Sequence, residues 1–444
     1  MISCGITKHL VYCLISIILS AFINGINISV RESAFDSIYK FTNRVIRMRL
    51  LEEMQRANPG KDLEKDYQLI DDQTNEKLKK FLVMWTSTYL IAAISGALFS
   101  GYSGNRYGRK KSLLWNNSLI FVALFFLCFS ARFGSYEMII IGQFFIGFNV
   151  GMTTSLAPIY LTEVSPIRMR GIFGSAYIVS TSLAIFTTHI LISSFEFENW
   201  IYMFSSVVIP SILMIVALNE CPESPRYSYF IRGDQIKAQN ELQRLRENSE
   251  INEELYEMKV EYQAIERNVR FSYHSLWADS KIRNALFISI IVVMSKHMTG
   301  INAIQYFTKS IYQKAGLSSK TESYISNGIL FVGFKTSLIF ALFVEKLGRR
   351  TLLLVGLLGM FCAQIFITFC LIFSDSLEVS NYLNLITLIL YIILYSCGPT
   401  FIPHFYFVEL FRTDSRSVGA GLSVATLYAI PLIFSFSFSA LKVL

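Results

Sequence analysis

The stretch that decides the fold is a short cationic turn, Asn105-Arg106-Tyr107-Gly108-Arg109-Lys110. A related turn occurs about half the chain later and reads Glu345-Lys346-Leu347-Gly348-Arg349-Arg350. Each copy has a glycine near its centre with cations around it, and each follows long apolar segments of its own half of the chain. A turn repeated at equivalent points of two hydrophobic halves indicates an internal duplication.

The composition is that of a membrane protein. Of the 444 residues, 53% are hydrophobic and only 16% are charged, which is little charge for a soluble domain. The apolar residues form runs of roughly 20, long enough to cross the hydrocarbon core as helices. We count eleven runs, near Leu10–Val30, Phe81–Tyr102, Leu113–Ala131, Tyr136–Leu161, Ile172–Ser194, Ile201–Leu218, Ala285–Ile304, Tyr324–Val344, Leu352–Phe373, Tyr382–Phe405 and Val418–Leu441.

We therefore predict an all-α membrane protein with two pseudo-symmetric halves and about eleven transmembrane helices, a twelfth being absent from the count. Residues 1–219 form a six-helix half with an outside loop near 31–80, residues 220–281 form a cytoplasmic loop, and residues 282–444 form a half of five helices. Duplicated membrane proteins of this kind are mostly alternating-access carriers, which hold the solute between the halves.

The positive charge predicts orientation. The formal net charge of +8 lies largely in short turns beside helix ends, so it indicates no nucleic-acid partner. The turns Arg106–Lys111, Arg168–Arg170 and Lys346–Arg350 are expected in the cytoplasm, and the N-terminus with them. The first run lacks a small-residue cleavage site, so we expect a retained helix. The 7 cysteines show no paired spacing, and we expect neither a metal nor a cofactor.

Two polar stretches interrupt the apolar runs. Arg31–Lys80 joins the first two and contains the turn signal Asn58-Pro59-Gly60. Asn219–Arg283 contains two segments, Gln235–Arg246 and Asn252–Arg267, with apolar residues at helical spacing. We predict that these segments are amphipathic surface helices under the bundle. A plain linker is the alternative.

Acids and cations also occur in equivalent pairs. Glu163 and Arg170 are seven residues apart, as are Glu409 and Arg416. Acids at helix ends can form charge-assisted pairs with turn cations. Between two halves that rock, such pairs act as a latch that favours one conformation. The simpler alternative is that the cations only satisfy the positive-inside rule.

Six motifs, in order, carry a resemblance to a known family. Besides the two cationic turns they are Glu163-Val164-Ser165-Pro166 with Arg170-Gly171, Pro222-Glu223-Ser224-Pro225-Arg226, Thr299-Gly300-Ile301-Asn302-Ala303, and Val408-Glu409-Leu410-Phe411 with Arg416. The chain resembles the sugar porter family of the major facilitator superfamily, close to the animal facilitated glucose transporters. The resemblance implies a major-facilitator bundle in the plasma membrane. It also implies facilitated uniport of a hexose or similar small polar solute.

The resemblance further implies a cytoplasmic latch that closes the inner gate in the outward-facing state. We define the cytoplasmic latch as Arg106, Arg109, Glu163, Arg170, Glu223, Arg226, Glu345, Arg349, Arg350, Glu409 and Arg416.

The expected solute site departs from the family pattern. Asn302 is the one clean match, and its amide can donate to and accept from the hydroxyls of a polyol. Sugar-binding positions of the family are occupied by other residues here, namely Gln143, Ile178, His189, Lys296, His297, His404 and Val424. We take Asn302, His297, Lys296, His189 and His404 as the candidate solute-binding residues.

The replacements are cationic, which keeps other functions open. Lys296 and Lys335 fall inside apolar runs, where a charge costs about 2.5–3.5 kcal/mol and is usually functional. One interpretation is a carrier of organic anions that uses both lysines. Lysines that snorkel and histidines that only make helix contacts are the structural alternatives. The lost sugar residues also allow a non-transporting, sensor-like or truncated relative.

Helix-breaking residues predict gates. Gly300 weakens the seventh run, and Gly398-Pro399-Thr400-Phe401-Ile402-Pro403 interrupts the tenth because proline has no amide donor. We expect Gly300, Pro399 and Pro403 to be gating hinges, with a static kink as the alternative. Leu10–Val30 contains no carboxylate, which disfavours the proton symport known in the family. The sequence has no P-loop for a primary pump and no catalytic constellation, so we predict that the protein is not an enzyme.

Overall fold

The computed structural model describes residues 7–57, 67–166, 169–195, 199–246, 251–266, 275–301, 304, 308, 312, 318–372, 378–400 and 402–441. Over these ranges the chain is helical and has no β-strand. The helices are α1 (Lys8–Ser33), α2 (Phe35–Ala57), α3 (Tyr67–Arg106), α4 (Arg109–Phe133), α5 (Tyr136–Val164), α6 (Arg170–Phe195), α7 (Trp200–Ser205), α8 (Val208–Glu220), a π-helical turn (Tyr227–Ile231), α9 (Gln235–Leu245), α10 (Ile251–Glu266), α11 (Ser275–Ala278), α12 (Ser280–Met298), α13 (Ser319–Leu347), α14 (Arg349–Ile372), α15 (Glu378–Cys397), α16 (Ile402–Leu410) and α17 (Arg416–Leu441).

The apolar runs coincide with long helices. In the described part of the chain, 10 helical spans are long and apolar enough to cross a membrane, and α7 with α8 counts as one of them. The remaining run begins on α12, which is less apolar because it carries Lys281, Arg283 and Lys296. The prediction of an all-α membrane bundle is confirmed.

The polar stretch between the first two runs is largely helical rather than a break between helices. α2 fills much of it, and α3 has 40 residues because it begins well before the apolar run at Phe81. Ile38, Ile46 and Leu50 of α2 are buried, a helical stripe that abundant charge conceals in the sequence. The turn Asn58-Pro59-Gly60 lies outside the described residues.

Small residues let the transmembrane helices approach closely. A Cβ atom on Gly96 of α3 or Gly151 of α5 would overlap backbone atoms of the facing helix. The two halves also pack closely at a glycine, since a Cβ on Gly421 of α17 would lie 2.6 Å from the Ala97 carbonyl oxygen of α3. Such contacts are typical of membrane bundles, where packing replaces the hydrophobic effect.

The two predicted surface helices are present as α9 and α10. Asp234 caps α9 by accepting from the Lys237 amide at 2.9 Å. Arg246, just after α9, pairs with Glu254 of α10 at 2.9 Å and donates to the Val164 carbonyl oxygen at 2.9 Å. These contacts fix both helices under the first half.

Candidate functional site

A fully buried ion pair joins the first cationic turn to the end of α5. Arg109 Nε lies 2.9 Å from Glu163 Oε2 and Arg109 Nη2 lies 3.1 Å from Glu163 Oε1, with both side chains 0% exposed. Arg109 Nη1 also donates to the Gly104 carbonyl oxygen at 3.1 Å, and Ser224 donates to Glu163 Oε2 at 2.6 Å. Buried charges are tolerated only when such additional hydrogen bonds satisfy them.

The start of α4 is held by a carboxylate from another segment. Glu223 Oε1 accepts from the backbone amides of Arg109 at 2.9 Å, Lys110 at 3.0 Å and Ser224 at 3.1 Å. A helix N-terminus favours such an anion. Gly108 precedes α4 with a φ of 97°, and a Cβ there would overlap the Glu223 carboxylate. Burial nevertheless raises the pKa of Glu223.

The two halves meet at the same end of the bundle. Arg416 of the second half places Nη1 3.5 Å from Glu163 Oε1 of the first. Thr413 donates to Glu261 Oε1 at 2.6 Å, and Arg226 reaches both, at 2.8 Å from Glu261 Oε2 and 3.2 Å from Thr413 Oγ1. Polar contacts therefore tie the halves together beside the cationic turns.

The second cationic turn is built differently from the first. Arg349 pairs with Glu345 through both oxygens, at 2.8 and 3.0 Å, and with Glu409 at 3.1 Å. Its side chain is 23% exposed, whereas Arg109 is fully buried. The Glu345 carboxylate lies against Gly171 at the start of α6, where a Cβ would overlap it. An acid of the second half thus touches the backbone of the first.

Three of the latch cations make no ion pair within the described residues. Arg170 lies in a small polar cavity with Glu254 and Glu257, but its Nε has no hydrogen bond. The Arg106 carbonyl oxygen accepts from Arg232 Nη2 at 3.0 Å, while the Arg106 side chain joins no acid. Arg350 is exposed.

Several partners in this cluster were not expected from the sequence. Ser224 lies inside one of the six motifs, and Thr413 lies between Glu409 and Arg416. Their positions in the sequence could therefore have indicated that both belong to this cluster. Glu261 is one of several acids on α10, and nothing in the sequence distinguishes it.

A cavity of about 620 Å³ lies between the halves at the opposite end of the bundle. Its walls are the end of α1, the start of the apolar part of α3, the end of α6 and the first half of α13. The lining residues include Ser29, Arg31, Glu32, Asp36, Trp85, Thr86, His189, Ile301, Thr308, Tyr312, Ser326 and Leu330. The two halves therefore contact each other at the cationic end of the bundle and are separated by a cavity at the other end.

Of the candidate solute residues, His189 lines this cavity. Its Nδ1 lies 2.7 Å from Asn327 Oδ1 of α13, and Asn327 Nδ2 donates to Ser193 Oγ of α6 at 3.2 Å. This bridge links the two halves at the cavity wall. Asn327 was not expected, because it is one polar residue near the start of a long helix.

Lys296 and His404 lie together below the cavity and outside its lining. Lys296 Nζ is 3.4 Å from His404 Nε2, and His404 Nδ1 is 3.0 Å from the Thr400 carbonyl oxygen. The second contact favours a proton on Nδ1, which leaves Nε2 to accept from the lysine. His297 follows Lys296 on α12 and is half-buried. Asn302 lies outside the described residues.

Lys335 does not face the cavity. Its exposed ammonium lies 5.4 Å from the Phe331 ring centroid and 6.0 Å from that of Phe334. On α13, Lys335 is about 140° and about 180° around the helix from the cavity residues Leu330 and Ser326. Of the two interpretations of Lys335, the register of α13 therefore favours a lysine at the bundle surface over one that joins Lys296.

Backbone breaks occur in both helices next to Lys296 and His404. α12 ends at Met298, and Gly300 follows with a φ of 79°, where a Cβ would overlap the Gln364 side chain. α15 ends at Cys397 and α16 begins at Ile402, with Pro399 between them and Pro403 in the first turn of α16, where a missing amide donor is harmless. The predicted interruption of the tenth run is confirmed. The hinge roles of Gly300, Pro399 and Pro403 stay predictions.

Residues 12–442 match the family model described as Sugar (and other) transporter. The chain belongs to this family. Its members are transporters rather than enzymes, and the chain is a multi-pass membrane protein. The predicted sugar porter resemblance is confirmed.

Relatives of this family member include facilitated glucose transporters. Solute carrier family 2 member 1 of Gallus gallus is 32% identical over 349 residues, which are 77% of this chain and 71% of that one. Member 4 of Bos taurus is 32% identical over 352 residues, or 77% of this chain and 68% of that one.

Solved structures with the same fold include two of xylose transporters. The proton:xylose symporter XylE bound to 6-bromo-6-deoxy-D-glucose has a TM-score of 0.80 and 18% identity, covering 98% of this chain and 89% of that one. The inward-open xylose transporter XylE from E. coli has a TM-score of 0.61 and 19% identity, covering 96% and 90%. At these identities the likeness establishes the fold and not the solute.

Proposed function

We propose that the protein carries a hexose or a similar small polar solute across the plasma membrane by facilitated uniport, with its N-terminus in the cytoplasm. The observation that carries the proposal is the asymmetry of the bundle. Arg416 contacts Glu163 at the cationic end, while a cavity of about 620 Å³ lies between the halves at the other end. This volume suits a small-molecule site, whose usual range is about 300–1,000 Å³.

In this proposal the closed cationic end and the open cavity belong to the outward-facing state of an alternating-access cycle. A solute enters between the halves and meets the hydroxyls of Ser29, Thr86 and Ser326. Breaks at Gly300 and Pro399 allow the segments beyond them to close over it. Arg416 then separates from Glu163, whereas Arg109 keeps its carboxylate because both belong to the first half.

Uptake into proteoliposomes tests this proposal, with labelled glucose and fructose as solutes. We expect saturable flux that Asn302→Ala reduces. Asn75→Ala, at an exposed position near the start of α3, is the matched control and is expected to leave flux unchanged. The absence of any hexose flux from a well-folded sample rejects the proposal, and binding without flux favours the sensor-like alternative.

One observation favours a second candidate, a carrier of anionic solutes. Lys296 lies at membrane depth, and in the described part of the chain the one polar contact of its ammonium is His404, with no carboxylate beside it. Charges in this position are usually functional. Flux of labelled glucuronate that Lys296→Gln abolishes, without hexose flux, would move the assignment to this class.

A further inference from the structure

A second cavity, of about 450 Å³, lies between α3 and α4 on the lateral surface of the first half. Aromatic rings form its walls, since the Phe99 centroid lies 5.7 Å and the Trp115 centroid 6.4 Å from that of Phe148 on α5. Trp115 and Tyr107 are about half exposed, at 50% and 52%. The lining residues are Phe99, Ser103, Tyr107, Lys111, Ser112 and Trp115. The cavity therefore opens toward the surrounding bilayer.

The depth of this cavity is that of lipid headgroups. It spans the last two turns of α3 and the first two of α4, within about 10 Å of the cationic turn. Tyrosine and tryptophan are enriched at this depth because their rings are amphipathic. The positive-inside rule assigns this end of the helices to the cytoplasmic leaflet.

Two polar groups of the cavity, the exposed Lys111 ammonium and the buried Ser112 hydroxyl, have no protein partner within the described ranges. The Lys111 ammonium makes no hydrogen bond or ion pair, whereas the neighbouring Lys110 donates to the Asn219 carbonyl oxygen at 2.9 Å. Ser112 is 2% exposed, and its Oγ has no hydrogen-bond partner. A buried hydroxyl without a partner calls for an explanation, and an acceptor absent from the chain itself is one such explanation.

We propose that this cavity binds an anionic glycerophospholipid of the cytoplasmic leaflet. The phosphate accepts from Lys111, and from Ser112 once its hydroxyl rotates toward the cavity, while the upper part of an acyl chain lies along Phe99 and Trp115. Charge complementarity selects this occupant, because anionic lipids are attracted to basic groups at this surface. The duplicated half does not repeat the lysine, since Thr351 stands at the position that matches Lys111.

Native mass spectrometry of the full chain tests the proposal by titration with phosphatidylserine, phosphatidylcholine and inorganic phosphate. We expect phosphatidylserine to bind more tightly than phosphatidylcholine. Lys111→Gln is expected to weaken phosphatidylserine binding about five-fold, the worth of one surface lysine. Ser112→Ala is expected to weaken it as well. Lys346→Gln, in the other cationic turn, is the matched control and leaves affinity unchanged.

Three results overturn the proposal. Equal affinity for the two lipids shows an apolar groove without headgroup recognition. Phosphatidylserine binding that is unchanged in both Lys111→Gln and Ser112→Ala places the lipid elsewhere. Competition by inorganic phosphate at equal concentration identifies a free anion as the ligand. Lipid affinities are compared only among variants whose melting temperatures equal that of the parent. The measurement does not require transport of the solute.

Discussion

Arg416 Nη1 lies 3.5 Å from Glu163 Oε1, the same oxygen that Arg109 Nη2 reaches at 3.1 Å. One carboxylate therefore serves two arginines, one from its own half and one from the opposite half. The two contacts differ in kind. The pair within the half is fully buried and bidentate, whereas the contact between halves is a single longer one.

This difference predicts that substitution of Arg416 changes the conformational equilibrium and that substitution of Arg109 changes the stability. Arg416→Gln is expected to shift the population toward the inward-facing state by about 1–2 kcal/mol, because one charged contact between halves is lost. Distance measurements between spin labels on the two halves check this shift. Arg412→Gln is the control, because its ion pairs are with Asp414 and with Asp279, the N-cap of α12, and not with the first half.

Arg109→Gln is expected to lower the stability of the whole protein by about 3–5 kcal/mol, because it leaves the buried Glu163 carboxylate with only Ser224 and the longer Arg416 contact. The thermal midpoint in detergent measures the loss. A stable Arg109→Gln protein with an altered conformational equilibrium would contradict the assignment of fixed and moving partners.

Gly171→Ala is expected to separate the halves. The added methyl overlaps the Glu345 carboxylate, and overpacking of this kind costs about 1–3 kcal/mol. Labelling of a cysteine introduced near the cationic turns is expected to become faster in the variant. Gly328→Ala is the control, because a Cβ there meets nothing within 4 Å. Unchanged labelling in Gly171→Ala would mean that this contact does not close the inner end.

The surface helices introduce a pH dependence. Burial raises the pKa of Glu241 to about 7, even though Ser228 donates to its carboxylate at 2.6 Å. The folded state therefore binds this proton more tightly than the unfolded chain, and stability falls as pH rises from about 4 through 7. Glu241→Gln is expected to remove this loss, on the order of 1–2 kcal/mol at pH 8.

Thermal midpoints at pH 5 and pH 8 test the Glu241 prediction. Glu253→Gln on the exposed face of α10 is the matched control. A Glu241→Gln protein with the same pH profile as the parent would locate the titrating group elsewhere.

Substitution of Glu32 tests whether protons accompany the solute. It is the acid of α1 that lines the cavity, together with Arg31 and His189. A uniporter does not concentrate its solute, so we expect an inward proton gradient to cause no accumulation above equilibrium. Accumulation that Glu32→Gln abolishes and Asp36→Asn preserves would instead establish proton coupling through Glu32.

The sequence predicted what depends on local pattern. Apolar runs gave the transmembrane helices, and glycine-centred turns gave the places where Arg109 and Arg349 find acids. Contacts between residues from distant segments could not be predicted in this way. Glu261 meets Thr413 only because α10 lies under both halves, a relationship that no local pattern encodes.

The rotational register of the helices was the other limit on prediction from the sequence. Lys335 falls inside an apolar run, yet a helix turns about 100° per residue, so a shift of two residues decides between cavity and lipid. α2 was missed for a related reason, since its buried stripe of Ile38, Ile46 and Leu50 is diluted by charged residues on its other faces.

The shared carboxylate of Glu163 also determines what must happen when the inner end opens. Arg109 keeps Glu163 neutralised throughout, so the first half never has to find a replacement cation. The charge that changes surroundings is the guanidinium of Arg416, and water that enters the widening gap can solvate it. In the proposed cycle, opening of the inner end therefore exposes the Arg416 guanidinium to water, and Glu163 does not exchange one salt bridge for another.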